Sequence, residues 1–254
     1  MLCRSVLLIL SLMAFMHGSD GSSCDEDCAD KPVFSPSRLV VKYGDQASAR
    51  CTACRSDCQS DQTNLNVSIG KPRKDGNIIL WKVDSMTAWN PSAMCYYIKD
   101  DGNTCCNHLP VTVYSPPQHV TMYQIYEEKG YGSDSEGRQY SLLCIVYDVA
   151  PVENLVVTFY REQTVLGQLR SDRTSKTPVT VSLTLKTNSS AEDDSHLYWC
   201  EAKLDLGPGG PQHPPVARSG KRMEREYMMV SSGTVIQSFT FLIFCLGFLH
   251  FWCN

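Results

Sequence analysis

Apolar and polar side chains alternate strictly from 179 to 186: Val179, Val181, Leu183 and Leu185 interleave with Thr180, Ser182, Thr184 and Lys186. A period of two sends successive side chains to opposite faces, so this stretch predicts a strand with one buried face. Ile78 to Val83 reads as a strand with Ile79, Trp81 and Val83 on one face, and Leu155 to Tyr160 reads as a further strand. Shorter apolar stretches at Leu39-Val40-Val41, Ser48 to Cys51, Met94 to Tyr97, Val111 to Tyr114 and Tyr140 to Val146 add to the series. Met223 to Val230 alternates well enough for a further strand, and the strand-breaking run Gly207-Pro208-Gly209-Gly210-Pro211 precedes it. No helical period occurs outside the two ends of the chain, so the pattern predicts an all-β protein.

One segment narrows the fold. Asp194-Ser195-His196-Leu197-Tyr198-Trp199-Cys200 places a Tyr two residues before a Cys and an Asp four before that Tyr. That is the strand F signature of an immunoglobulin-type sandwich, in which the Cys crosses to strand B. Cys144, inside the apolar run Tyr140 to Val146, is the partner. Cys51 and Cys95 form a second, closer pair around the strand Ile78 to Val83, although Ala93 stands where that Tyr would be. The expected fold is two tandem immunoglobulin-like β-sandwich domains, residues 24–115 and 116–230, with Ser115-Pro116-Pro117 as a stiff junction. Strand C of the second domain has no Trp to pack on the disulfide, so Leu155, Val157 and Phe159 are expected to fill that space.

The two ends set the compartment. Residues 1–19, with Arg4 ahead of the apolar run Val6 to Phe15, have the layout of a secretory signal peptide. Near the other end, Ser231-Ser232-Gly233 and a partly polar spacer lead into an apolar stretch with no Lys or Arg after it. Residues 231–254 thus read as a glycosylphosphatidylinositol attachment signal, with Ser231 and Ser232 as candidate lipid-anchor positions. A single membrane-spanning helix of type I orientation is the alternative. The expected location is the extracellular face of the cell membrane.

The chain has 13 Cys in 254 residues. Outside the two terminal segments they are Cys24, Cys28, Cys51, Cys54, Cys58, Cys95, Cys105, Cys106, Cys144 and Cys200, an even set that implies disulfides in an oxidising compartment. Cys51-Thr52-Ala53-Cys54 and Cys105-Cys106 would suggest zinc in a cytosolic protein, but behind a secretion signal they read as disulfides. Cys54 is expected to pair with Cys105 or Cys106, and a local Cys24–Cys28 bond remains open. A formal net charge of -4 argues against a nucleic-acid surface. No nucleophile–base set, metal-ligand cluster, phosphate loop or carboxylate pair can be placed on this architecture, so neither an enzyme nor a cofactor is expected.

Several segments together resemble the intercellular adhesion molecules. They are Phe34-Ser35-Pro36-Ser37-Arg38-Leu39-Val40, Cys51 with Cys54, Met94-Cys95-Tyr96, Leu109 to Pro116, and Cys200-Glu201-Ala202-Lys203-Leu204-Asp205-Leu206. The likeness runs from 33 to about 206 in the same order and describes a divergent two-domain member. It implies cell–cell adhesion through leukocyte integrins. In that family an acidic residue at the end of the first domain's strand C completes the coordination of a divalent cation held by the integrin, and such hard cations prefer oxygen ligands. Here the segment Leu65 to Pro72 takes that place, and Ser68 stands where the acid is expected. Asp61 and Asp75 flank the segment and are the other candidates on this edge. Asn66-Val67-Ser68 and Asn188-Ser189-Ser190 are glycosylation sequons, and a glycan on Asn66 would crowd the same edge. The expected partner is a cell-surface protein, an integrin or, as the alternative, a non-integrin partner of a surface-bound or shed decoy receptor.

Overall fold

The computed structural model describes residues 24–25, 28–55, 58–126, 140–187 and 196–220. In the first sandwich one antiparallel sheet has the order β2 (Val33–Ser35), β4 (Ala47–Thr52), β7 (Ile78–Val83), β6 (Lys71–Asp75). The facing sheet has the order β1 (Cys24–Asp25), β9 (Thr104–His108), β8 (Ala93–Ile98), β5 (Thr63–Val67), with β1 parallel to β9. β3 (Leu39–Lys42) pairs in parallel with β10 (Val111–Tyr114). The alternation of β7 is realised as one buried face: Ile79, Trp81 and Val83 are each 2% exposed or less. Trp81 is the largest fully buried side chain, and with Phe34, Leu65 and Met86 it packs around the Cys51–Cys95 bond joining β4 to β8. Ala93, in place of a corner Tyr, is buried in the same core.

The second sandwich pairs β11 (His119–Tyr126), β12 (Tyr140–Val149) and β15 (Val179–Thr187) in one sheet. The other has the order β14 (Thr164–Arg170), β13 (Leu155–Arg161), β16 (Tyr198–Leu204), β17 (Val216–Arg218). Cys144 of β12 bonds to Cys200 of β16 across the core. Phe159 lies opposite Cys200 in the β13–β16 register, and Leu155, Val157 and Phe159 have no exposed surface. Three medium side chains thus replace one indole against the disulfide. Two 3-10 turns, Ser60–Gln62 and Val152–Asn154, are the helical segments among the described residues.

The described strand beside β16 is Val216–Arg218; Met223 to Val230, expected as a strand, lies outside the described residues. Val216-Ala217-Arg218 is too short for its alternation to stand out. Its pairing is prolonged by Ser219, whose hydroxyl accepts the Cys200 N–H at 2.9 Å and whose N–H donates to the Cys200 carbonyl at 2.9 Å. The junction expected to be stiff is tied to the second domain. Ser115 and Ala150 exchange backbone hydrogen bonds of 2.9 and 3.1 Å, and Tyr114, 9% exposed, packs into the second core. Pro116 and Pro117 have no N–H to leave unsatisfied at this seam.

Candidate functional site

Strand β5 carries the presumed contact edge. Leu65 points into the core at 3% exposure, while Asn64 and Asn66 lie on the opposite, exposed face. Asn66 sits opposite Met94 of β8. The strand ends at Val67, so Ser68 is the first residue beyond it. Ser68 is exposed, but its groups are committed. Its hydroxyl accepts the Ser92 N–H at 2.9 Å, and its N–H donates to the Ser92 carbonyl at 3.1 Å.

The following residues lock this corner. The indole N–H of Trp81 donates to the Ile69 carbonyl at 2.8 Å. Gly70 has φ +80, a region that favours glycine. A Cβ there would lie 2.6 Å from the Lys82 carbonyl oxygen and 2.8 Å from a Val83 methyl. The C–D turn is therefore a rigid corner riveted to β7.

Asp61 and Asp75 lie at the other end of the strand. Asp61 is in the 3-10 turn that enters β5, and Asp75 closes β6, opposite Ile78. Both are exposed. Lys74, beside Asp75, reaches the Thr63 carbonyl at the start of β5. The structure thus puts Ser68 at the end of strand C and neither Asp beside it. Asn188, Ser231 and Ser232 lie outside the described residues.

The cysteines of the first domain need correction. Cys54 bonds to Cys58, not to Cys105 or Cys106. Those two pair with Cys28 and Cys24 respectively, so no local Cys24–Cys28 bond forms. Adjacent residues on a strand face opposite ways. Cys105 points into a small satellite core with Cys54 and Tyr97, whereas Cys106 lies on the opposite face of β9, where its bond to Cys24 of the edge strand β1 leaves it buried. Each needs its own partner from the N-terminal segment. Cys54 is beside Cys105, as spacing suggested, but the 54–58 loop brings a nearer thiol. Cys24, Cys106 and His108 have ligand atoms close together, but both sulfurs are in one disulfide and offer no thiolate to a metal.

Features that the sequence reading missed lie on the outer faces. Tyr160 and Trp199 are neighbours across β13 and β16 and stack with centroids 3.9 Å apart. Arg218 sits 5.7 Å from the Trp199 centroid and donates to Glu201 at 2.8 Å. Asp205, in the Leu-Asp-Leu after the last cysteine, accepts from Arg170 at 2.7 Å. That bond holds its carboxyl below the usual carboxylate range. The signal that could have found these residues is the polar half of each alternation, which core-seeking passes over.

No family model matches the chain. Two tandem sandwiches, each crossed by a disulfide between its second and sixth principal strands, give the chain the immunoglobulin-type fold. Its sequence is similar to that of an intercellular adhesion molecule. It is 25% identical over 174 residues to intercellular adhesion molecule 4 of Pan troglodytes and equally to that of Homo sapiens, over 68% of this chain. The match spans 61% of the length of those curated relatives. Among solved structures, the ICAM-5 D1-D4 ectodomain fragment superposes with a TM-score of 0.54 at 16% identity, covering 80% of this chain and 52% of that one. This second likeness concerns the fold.

Proposed function

We propose that this chain is a cell-surface adhesion or recognition protein that binds a protein on an opposing cell through its first domain. The observation that carries the reading is the sequence kinship with intercellular adhesion molecule 4 across both sandwiches. A rigid, disulfide-rich pair of domains also suits a role in presenting an edge to a partner. The mode of contact is the finer question. A metal-directed contact needs a carboxylate oxygen at the end of strand C. Ser68 offers a neutral hydroxyl already engaged by Ser92, and Asn66 beside it is an exposed sequon. These observations favour a contact that does not depend on a divalent cation.

The test is adhesion of leukocytes to cells displaying the full chain, with and without a chelator. Adhesion that survives chelation is expected. Adhesion abolished by chelation supports the integrin mode through another carboxylate, and no adhesion to any leukocyte population removes the reading. For the anchor, the lipid-attachment reading predicts release by phosphatidylinositol-specific phospholipase. Retention with the apolar terminus intact supports the spanning helix. Among the described residues no helix is long and apolar enough to cross a membrane.

A further inference from the structure

We infer that the outer face of the sheet β2-β4-β7-β6 binds a sulfated polysaccharide. Pairing registers put four cations on it. Arg50 of β4 and Arg73 of β6 both lie opposite Leu80 of β7, one on each side. One step along, Lys71 of β6 lies directly opposite Lys82 of β7. Neighbouring strands are roughly 5 Å apart, so Lys71 and Lys82 are separated by about that distance and the two arginines by about 10 Å.

Like charges directly opposite one another destabilise a sheet. Among the described residues Arg50, Lys71 and Arg73 have no ion-pair partner. Lys82 meets Asp84 at 3.3 Å, but both side chains are mostly exposed, at 61% and 90%, and such pairs are weak. Asp75, at the far end of β6, is the one acid in register on this face. The chain as a whole carries a formal net charge of -4, so this cationic face is not the expression of a generally basic chain.

A charged, proline-bearing edge strand is also a device against edge-to-edge pairing. That accounts for Lys71, Pro72 and Lys74 on β6. It does not account for Arg50 and Lys82, which lie on the two central strands. The apolar surface on the face is modest: Val33, Ile78 and Leu80 are 50%, 43% and 44% exposed. A specific protein partner would need roughly 800 Å² on each side with an apolar centre. A linear polyanion needs only open cationic rows that run off a flat, uncovered edge. The five disulfides belong to the oxidising space outside the cell, where sulfated glycans are found. The inference does not depend on the partner proposed for strand C.

The test uses the full chain purified in detergent micelles, titrated with heparin oligosaccharides of defined length over a salt series. Binding to a dense polyanion releases counterions, so log affinity falls with log salt by about one unit per cation engaged. The triple variant Arg50→Gln/Lys71→Gln/Arg73→Gln is expected to weaken binding at least tenfold and to lower the slope by about three. All three side chains are exposed, and an unchanged thermal transition confirms folding. Lys42→Gln/Lys176→Gln/Lys186→Gln removes the same charge from exposed positions off this sheet and is expected to bind within twofold of the natural protein. Absence of heparin binding by the natural chain, an equal loss in both variants, or retained binding by the first would each overturn the inference.

Discussion

Ser68 and Ser92 hold each other by two hydrogen bonds, Ser92 N–H to the Ser68 hydroxyl at 2.9 Å and Ser68 N–H to the Ser92 carbonyl at 3.1 Å. This fastens the end of strand β5 to the approach to β8, between which the sheet pairing of Val67 with Ala93 is the last rung. Ser68 is thus a structural tie at the end of β5. A serine at this point gives the corner a short acceptor without a charge.

Gly70 should be as important to that corner as the serine. Its positive φ is strained for any other residue, and an added methyl would meet the Lys82 carbonyl oxygen at 2.6 Å. Backbone cannot yield as a flexible side-chain tip can. Gly70→Ala is expected to destabilise the first domain by about 1–3 kcal/mol. Thermal unfolding of the full chain, followed by Trp81 fluorescence, reads this directly. An unchanged transition would mean that the turn is free to rearrange.

Tyr198 is 1% exposed in the second core, and no buried side-chain polar atom among the described residues lacks a partner. Tyr198→Phe keeps the ring and removes the hydroxyl, so a buried group loses its hydrogen bond. The second domain should lose about 1–2 kcal/mol. Denaturant unfolding monitored by the neighbouring Trp199 is the measurement, with the midpoint expected to fall at constant slope.

The strands with strict alternation were legible because one side of each faces a core. The β7 run Ile79, Trp81, Val83 and the β13 run Leu155, Val157, Phe159 are buried as their spacing requires. What could not be read were relationships set by the third dimension. Cys54 lies beside Cys105 in one cluster, yet which thiol it meets depends on how the 54–58 loop folds back. The cationic rows of the β4-β7-β6 face join residues from three separate strands, and no single window contains them. Val216–Arg218 gains its strand character from pairing with β16 rather than from its own composition.

The Arg170–Asp205 contact sets a limit on acid stability. A carboxyl held below its usual range in the folded state stabilises the fold above the unfolded value of about 3.9. The contribution fades as the pH falls through the lower, folded value. It should therefore be constant from pH 5 to 8 and diminish only below about pH 4. The side chains are 56% and 52% exposed, so the effect is small, under about 1 kcal/mol. Asp205→Asn should lower stability slightly and equally across pH 5 to 8, and the gap from the natural protein should close below pH 4. A gap that widened on acidification would contradict the sign.

Non-reducing peptide mapping should recover Cys24 with Cys106, Cys28 with Cys105 and Cys54 with Cys58. Because Cys105 and Cys106 are adjacent, cleavage between strands leaves them on one peptide that carries both N-terminal partners. Cleavage at Glu26 or Asp27 parts Cys24 from Cys28, and a three-peptide complex is then the expected species. A peptide linking Cys54 to either of them would show that the N-terminal segment is not held against β9.

The decisive variant for the contact edge is Asn66→Gln/Ser68→Glu. It removes the sequon and places a carboxylate at the end of strand C. The new side chain gives up the acceptor for the Ser92 N–H, an exposed bond worth about 0.5–1.5 kcal/mol. The corner should nevertheless persist, because the Trp81 bond to Ile69 and the Gly70 turn are untouched. Asn66→Gln/Ser68→Ala loses the same bond and the same glycan without adding charge. Any difference between the two variants therefore reports the carboxylate alone. Chelator-sensitive adhesion to integrin-bearing leukocytes is expected to rise for the glutamate variant and to stay at the natural level for the alanine one. Strong chelator-sensitive adhesion by the natural protein would instead direct attention to the far end of β5. There, Asp61→Ala and Asp75→Ala would identify the carboxylate, the one in use being the one whose loss abolishes adhesion.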